Sequence, residues 1–222
     1  MSPNVAARQL AVAGLVSLVL AAVAFTTPAH AMTRTLERVV DLEPSQTVRL
    51  DLSYGEIHVE PGAGDRVELE LRVRCHSGRG HCTERLERLE LATETHRNTL
   101  EVRLEGLRHF STHGLDVELW VSVPPDRPLD IDLGAGEVRV DGMEHDLRVH
   151  LGAGSIQVRM PEAAVRSVDA RAGVGEASLR SRDAHVEQRR HLVGGVARWT
   201  DGPGSARVDC QVGAGEVTVR LD

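Results

Sequence analysis

Apolar and polar residues alternate strictly along three stretches of the first half of the chain: Val67-Glu-Leu-Glu-Leu-Arg-Val73, Leu100-Glu-Val-Arg-Leu104 and Leu115-Asp-Val-Glu-Leu-Trp-Val121. A strand turns successive side chains to opposite faces, so each stretch predicts an antiparallel-type strand with one wet face. The run Glu84-Arg-Leu-Glu-Arg-Leu-Glu-Leu91 fits a short helix or a strand. Pro124, Pro125 and Pro128 mark a boundary, after which the pattern changes.

Beyond that boundary the chain repeats itself. Leu133-Gly-Ala-Gly-Glu-Val-Arg-Val140 returns as Leu151-Gly-Ala-Gly-Ser-Ile-Gln-Val158, Ala172-Gly-Val-Gly-Glu-Ala-Ser-Leu179 and Val212-Gly-Ala-Gly-Glu-Val-Thr-Val219. Leu192-Val-Gly-Gly-Val-Ala-Arg-Trp199 is a degenerate copy, and Leu52-Ser-Tyr-Gly-Glu-Ile-His-Val59 an early one. The spacing is about twenty residues, a period typical of stacked repeats. Within each unit the apolar positions change parity. Ile131, Leu133 and Ala135 are odd, whereas Val138 and Val140 are even. A period-two strand can change parity only at a bulge or corner, and glycine supplies a backbone free to take positive φ there. Candidate corner glycines are Gly55, Gly134, Gly136, Gly152, Gly154, Gly173, Gly175, Gly194, Gly195, Gly213 and Gly215.

The expected fold is therefore all-β. It is a short β-solenoid or rolled β-sheet of strand–Gly–strand repeats, preceded by antiparallel strands. Units stacked in register, as in a solenoid, would align one outward column of Glu137, Ser155, Glu176, Val196 and Glu216. A second would hold Asp141, Arg159, Arg180, Thr200 and Arg220. Arg159, Arg180 and Arg220 in that column form a candidate strip for an anionic ligand, with pairing to Asp and Glu on the same face as the alternative.

The G-A-G-E-V-x-V units at 134–140 and 213–219, their relatives between, and the alternating strands before them resemble a family of exported bacterial adhesin-like, β-strand-repeat proteins of unknown function. The resemblance spans about residues 35–222. It implies an envelope or surface protein with a binding or scaffold role, and no catalysis.

The first residues read differently from the rest. Arg8, an apolar run from Leu10 to Phe25 and the triplet Ala29-His-Ala31 make a secretory signal peptide over residues 1–31. An uncleaved anchor is the other reading, but the apolar run is short for a bilayer. The expected organisation is signal peptide 1–31, an N-terminal antiparallel region 32–126 and a repeat region 127–222. The last two together would form one continuous domain, periplasmic or extracellular and not membrane-spanning after cleavage.

Charge and composition narrow the chemistry. The 26 basic residues are all Arg against 33 acidic ones, for a net charge of −7, and aromatics are 2%. Nucleic acid is a poor partner for such a chain, and Lys-based catalysis is absent from it. The expected partner is an envelope polymer or another exported protein. In an oxidising compartment Cys75 and Cys82 read as a disulfide closing a Gly-containing loop. The alternative is a Cys₂His₂ metal site with His76 and His81, for which the spacing is crowded. Cys210 falls on the apolar parity with Val208 and Val212 and reads as a buried free thiol. His185-Val-Glu-Gln-Arg-Arg-His191 and His109-Phe-Ser-Thr-His113 lack the helical metal-motif spacing. The glycines are followed by strands, not by the helix a dinucleotide site requires. Glu137, Glu176 and Glu216 recur at equivalent positions, as a structural ladder does and a unique acid–base pair does not. No catalytic residue, metal or cofactor is expected. Two further readings are an accessory or sensor protein of an envelope-stress system and, with less support, a polysaccharide-active β-helix enzyme.

Overall fold

The computed structural model describes residues 32–76, 82–106, 114–181, 187–190 and 193–222, without the side chains of residues 82, 83 and 187–190. The signal-peptide segment 1–31 and His81, His109, His113, His185, His191 and Leu192 lie outside the described residues.

Among the described residues twelve strands form one mixed, open sheet. The strands are β1 (Met32–Asp41), β2 (Thr47–Pro61), β3 (Arg66–Cys75), β4 (Glu90–His96), β5 (Thr99–Glu105) and β6 (Leu115–Val123). They continue as β7 (Leu129–Asp141), β8 (Leu147–Met160), β9 (Val165–Arg180), β10 (Glu187–Arg190), β11 (Gly195–Trp199) and β12 (Ala206–Leu221). The ambiguous run 84–91 splits in two: a short helix α1, Cys82–Glu87, and the start of β4.

The parity change is present in every long strand. In β7, Leu129, Ile131 and Leu133 are buried before the corner, and Val138 and Val140 after it. β8, β9 and β12 repeat this. Both halves of each strand thus turn their apolar sides to one hydrophobic core. The early copy in β2 is a full member of the stack, with Leu52, Gly55 and Ile57 opposite Leu133, Gly136 and Val138. At its bend β2 exchanges one neighbour for another: residues 47–51 pair with β5, and 56–61 with β6. The sheet forks there into a β5–β4 branch and a β6–β3–β1 branch.

Three details correct the sequence expectations. Ala135, Ala153, Val174 and Ala214 are exposed rather than inward, because the chain leaves the core at the first glycine of each G-x-G. The second glycine, with φ between +124° and +142° at Gly136, Gly154, Gly175 and Gly215, brings it back. The units also do not stack in sequence order. β12 lies between β8 and β9, parallel to both. Finally, the degenerate unit is no corner. β11 runs antiparallel to β9, placing Gly195 opposite Ala172 and Val196 opposite Arg171. Gly194 and Gly195 are therefore not corner glycines, and Val196 and Thr200 leave the predicted columns. Val193 stands where the other late units have their first glycine, and Gly195, at the place of the second, opens a short strand that runs antiparallel to β9.

Tyr54 sits at the fork, at the position Ala135 holds in the next strand. Its hydroxyl is buried and has no hydrogen-bond partner among the described residues. Burial pushes the phenol up to about 12, with nearby Arg85 partly opposing the shift and Asp116 adding to it. A raised acid favours the folded state below its unfolded pKa, and that contribution is lost as pH rises from about 10 towards 12. Tyr54→Phe is expected to melt no lower than the parent at pH 7, since it removes an unpartnered polar atom. Its advantage should widen above pH 10. Thermal melts at both pH values check this, and a phenylalanine variant that melts several degrees lower at pH 7 would refute it.

Candidate functional site: the outward face and its arginine row

Hydrogen-bonded register turns the outward positions after the corner into rows that cross the strands. One row runs Glu118, Glu56, Glu137, Ser155, Glu216, Glu176 through β6, β2, β7, β8, β12 and β9. Two residues further along lies Trp120, His58, Arg139, Gln157, Thr218, Ser178. The next row carries Asp141, Arg159, Arg220 and Arg180. The sign therefore changes from row to row, from a first row with carboxylates on β6, β2, β7, β12 and β9 to a third with guanidiniums on β8, β12 and β9.

The three predicted arginines are brought together, in the spatial order Arg159, Arg220, Arg180, on neighbouring strands about 4.8 Å apart. In the two rows above them some members pair with one another. Arg139 pairs with Glu137 at 2.7 Å, Gln157 donates to Glu137 at 3.2 Å, and the Ser178 and Thr218 hydroxyls lie 3.1 Å apart. The arginine row is compensated at one end only. Arg159 meets Asp141 at 3.4 Å and Asp222 at 3.5 Å. Neither Arg180 nor Arg220 has an ion pair among the described residues, and both are exposed. A cleft of about 300 Å³ opens here, lined by Arg139, Arg159 and Arg220, by the carboxylates of Asp141 and Glu216, and by Ser155, Gln157 and Thr218; Arg180 stands outside it. Such a surface supplies planar donor forks to carboxylate, sulfate or phosphate groups.

A second concavity of about 790 Å³ crosses the sheet on the other side of the corner. Its floor is the backbone at Gly134, Gly152, Gly213 and Gly173, and its wall is Asp132, His150, Gln211 and Arg171. A further feature is hidden in the sequence. Trp120 and His58 stack with ring centroids 4.2 Å apart and planes 15° apart. Both stand on outward parity, but only the β6–β2 pairing makes them neighbours, and no local pattern announces that pairing.

The cysteines occupy structural positions. Cys75 ends β3, is buried and is not a free thiol. Cys82 opens α1, and its side chain lies outside the described residues. Cys210 is free and buried within β12, and burial pushes its thiol well up from the ordinary range. His76 lies 3.4 Å from Asp116. Among the described residues no group of three or more His, Cys, Asp or Glu could hold a metal ion. No helix there is long and apolar enough to cross a membrane.

Residues 35–180, from the first strand through the end of β9, match the N-terminal domain of toast_rack, DUF2154. The chain belongs to the toast_rack family. No curated protein matches it. Among solved structures, a candidate cell-adhesion protein from Clostridium sporogenes is 14% identical with a TM-score of 0.50, covering 85% of this chain and 100% of its own. A candidate adhesin from Bacteroides fragilis is 8% identical with a TM-score of 0.32, covering 84% of this chain and 97% of its own. The Clostridium likeness places the toast_rack chain in the adhesin-like β-repeat fold expected from its G-x-G units. Its central strand β12 lies beyond the span matched by the family's N-terminal domain.

Proposed function

We propose that this toast_rack protein is an exported, non-catalytic envelope protein with an adhesin-like role, which holds an anionic polymer along Arg159, Arg220 and Arg180. The observation that carries the proposal is the register: three like charges stand side by side on adjacent strands, and two of them have no ion pair among the described residues. Like charges directly opposite one another destabilise a sheet, so an anion lying along the row relieves a repulsion as well as making new contacts. The chain as a whole is net negative, so this row is a local exception to its own field.

The test is the triple variant Arg159→Gln, Arg180→Gln, Arg220→Gln. Parent protein is expected to be retained on immobilised alginate and dextran sulfate at low salt and released at moderate salt. Neutralising three exposed guanidiniums at once should weaken retention roughly tenfold or more. Equal retention by parent and variant, or none by the parent, overturns the polymer reading. Loss of a protein partner from envelope extract on the same substitution, with no polymer retention, would favour the accessory or sensor role.

Export with removal of residues 1–31 and a Cys75–Cys82 bridge belong to the same proposal, since an oxidising compartment is where such a bridge persists. Intact mass and a non-reducing peptide map of the exported protein are expected to show Met32 first and Cys75 joined to Cys82. A full-length mass, or two unlinked cysteine peptides, would contradict these points.

A further inference from the structure

We propose that the free face of Trp120 is a binding site for an organic cation of the quaternary ammonium type. The inference does not rest on the arginine row, which lies across the sheet on β8, β12 and β9. Trp120 stands outward on β6 and is 41% exposed, whereas Trp199, the chain's other tryptophan, is buried. His58 of β2 covers one indole face in a near-parallel stack. That contact holds the ring upright and turns its second face towards β3, where Glu70 is its register partner, followed by Glu37 on β1.

Beside that face lies a hollow of about 270 Å³ whose rim carries Glu37, Glu60, Glu68 and Glu70, and also Arg38, whose guanidinium donates to the Leu91 carbonyl at 3.4 Å. Glu68 is held by Arg66 at 2.7 Å and Glu70 by Arg72 at 2.8 Å. Glu60 accepts from the Ser122 hydroxyl at 3.2 Å. Glu37 and Glu60 have no ion pair among the described residues. The carboxylates alone would not make a site. The indole face beside them gives the hollow its selectivity, because a π face attracts a cation and its apolar area suits methyl groups. A quaternary ammonium gains from both the ring and the surrounding charge. A compact ammonium such as that of Lys is strongly hydrated and gives up more water to enter. An anion is repelled, and a neutral ring gains only the stacking contact. Trp120 thus serves a ligand opposite in charge to that of the arginine row.

Isothermal titration of the full mature chain with choline, beside its neutral isostere 3,3-dimethylbutan-1-ol, decides the matter. Saturable choline binding is expected, with the isostere weaker by about fivefold or more. Trp120→Leu should abolish choline binding and Trp120→Phe should leave it weakened. Both side chains face solvent, and an unchanged far-UV spectrum confirms the fold. Glu37→Gln with Glu60→Gln should weaken choline about three- to tenfold. The triple arginine variant should bind choline as the parent does, whatever its behaviour on alginate. Isostere binding as tight as choline, choline binding that survives Trp120→Leu, or no saturable binding by the parent would each overturn the proposal.

Discussion

A chain cut after Gly204 is expected to lose the whole fold, not a single repeat. In a stack ordered along the sequence, the last unit would be a cap, and its removal would leave the others standing. Here the last strand is central. β12 pairs in parallel with β8 and with β9 over nearly its full length, and β9 carries β11 and β10 in turn. Without β12 the sheet is cut in two, and two long inner edges lose their hydrogen-bond partners at once. Val208, Cys210, Val212, Val217, Val219 and Leu221 are all at most 3% exposed. Burying six such side chains contributes about 9–18 kcal/mol as an upper estimate, as much as a typical domain's entire stability of about 5–15 kcal/mol. Circular dichroism and limited proteolysis of residues 32–204 should show no cooperative melt and rapid digestion. A synthetic peptide of residues 205–222 added in trans should partly restore protection. A truncated chain that melts cooperatively near the parent temperature would mean that β12 sits at an edge.

What the sequence reveals about this fold follows from how local each signal is. The G-x-G units and the parity change lie within eight consecutive residues, so the corners at Gly136, Gly154, Gly175 and Gly215 are readable without any partner strand. Strand order is not local. Nothing between Ala206 and Leu221 distinguishes a strand bound for the middle of the sheet from one bound for its end, so a stack in sequence order is the natural expectation and the wrong one. β11 shows the same limit from the other side. Gly194-Gly195 resembles a corner, yet Gly195 begins a short strand that runs antiparallel beside β9, while Ser53-Tyr54-Gly55, no nearer to G-x-G, does bend. The arginine row survives the reordering because Arg159, Arg180 and Arg220 hold equivalent positions in units that are parallel, in register and adjacent in any order of β8, β9 and β12. The Trp120–His58 stack joins residues of strands far apart in sequence, neither of which carries a repeat-wide signature at that position. A composition of 2% aromatics points to a scarcity of stacking platforms; one nevertheless forms where two strands meet.

Gly154→Ala is expected to be among the most damaging single-methyl additions in the chain. The second glycines form a continuous spine, Gly55, Gly136, Gly154, Gly215, Gly175, across β2, β7, β8, β12 and β9. Two independent costs meet at Gly154. Its φ of +136° lies where an L-residue is strained, worth about 1–3 kcal/mol. A Cβ there would also fall 1.8 Å from the Gly136 carbonyl oxygen, far inside contact distance. That obstacle is backbone within a paired strand and cannot swing aside, so the sheet itself must part, at a further cost of about 1–3 kcal/mol or more. Together these should lower Tm by roughly 5–20 °C in a chain of this size. Two companion variants separate the contributions. Gly152 has no positive φ, but its Cβ would lie 2.3 Å from the Gly134 carbonyl, so Gly152→Ala reports the clash alone. Gly64 has φ +74° with nothing within 4 Å, so Gly64→Ala reports backbone strain alone. The expected order of Tm loss is Gly154, then Gly152, then Gly64, read by differential scanning calorimetry. Gly55→Ala should fall below Gly154→Ala, because the carbonyl it approaches, that of Val117, is 2.7 Å away rather than 1.8 Å. If Gly154→Ala melts with Gly64→Ala, strands β7 and β8 are not in contact at the spine, and the corner is set by something other than close backbone approach.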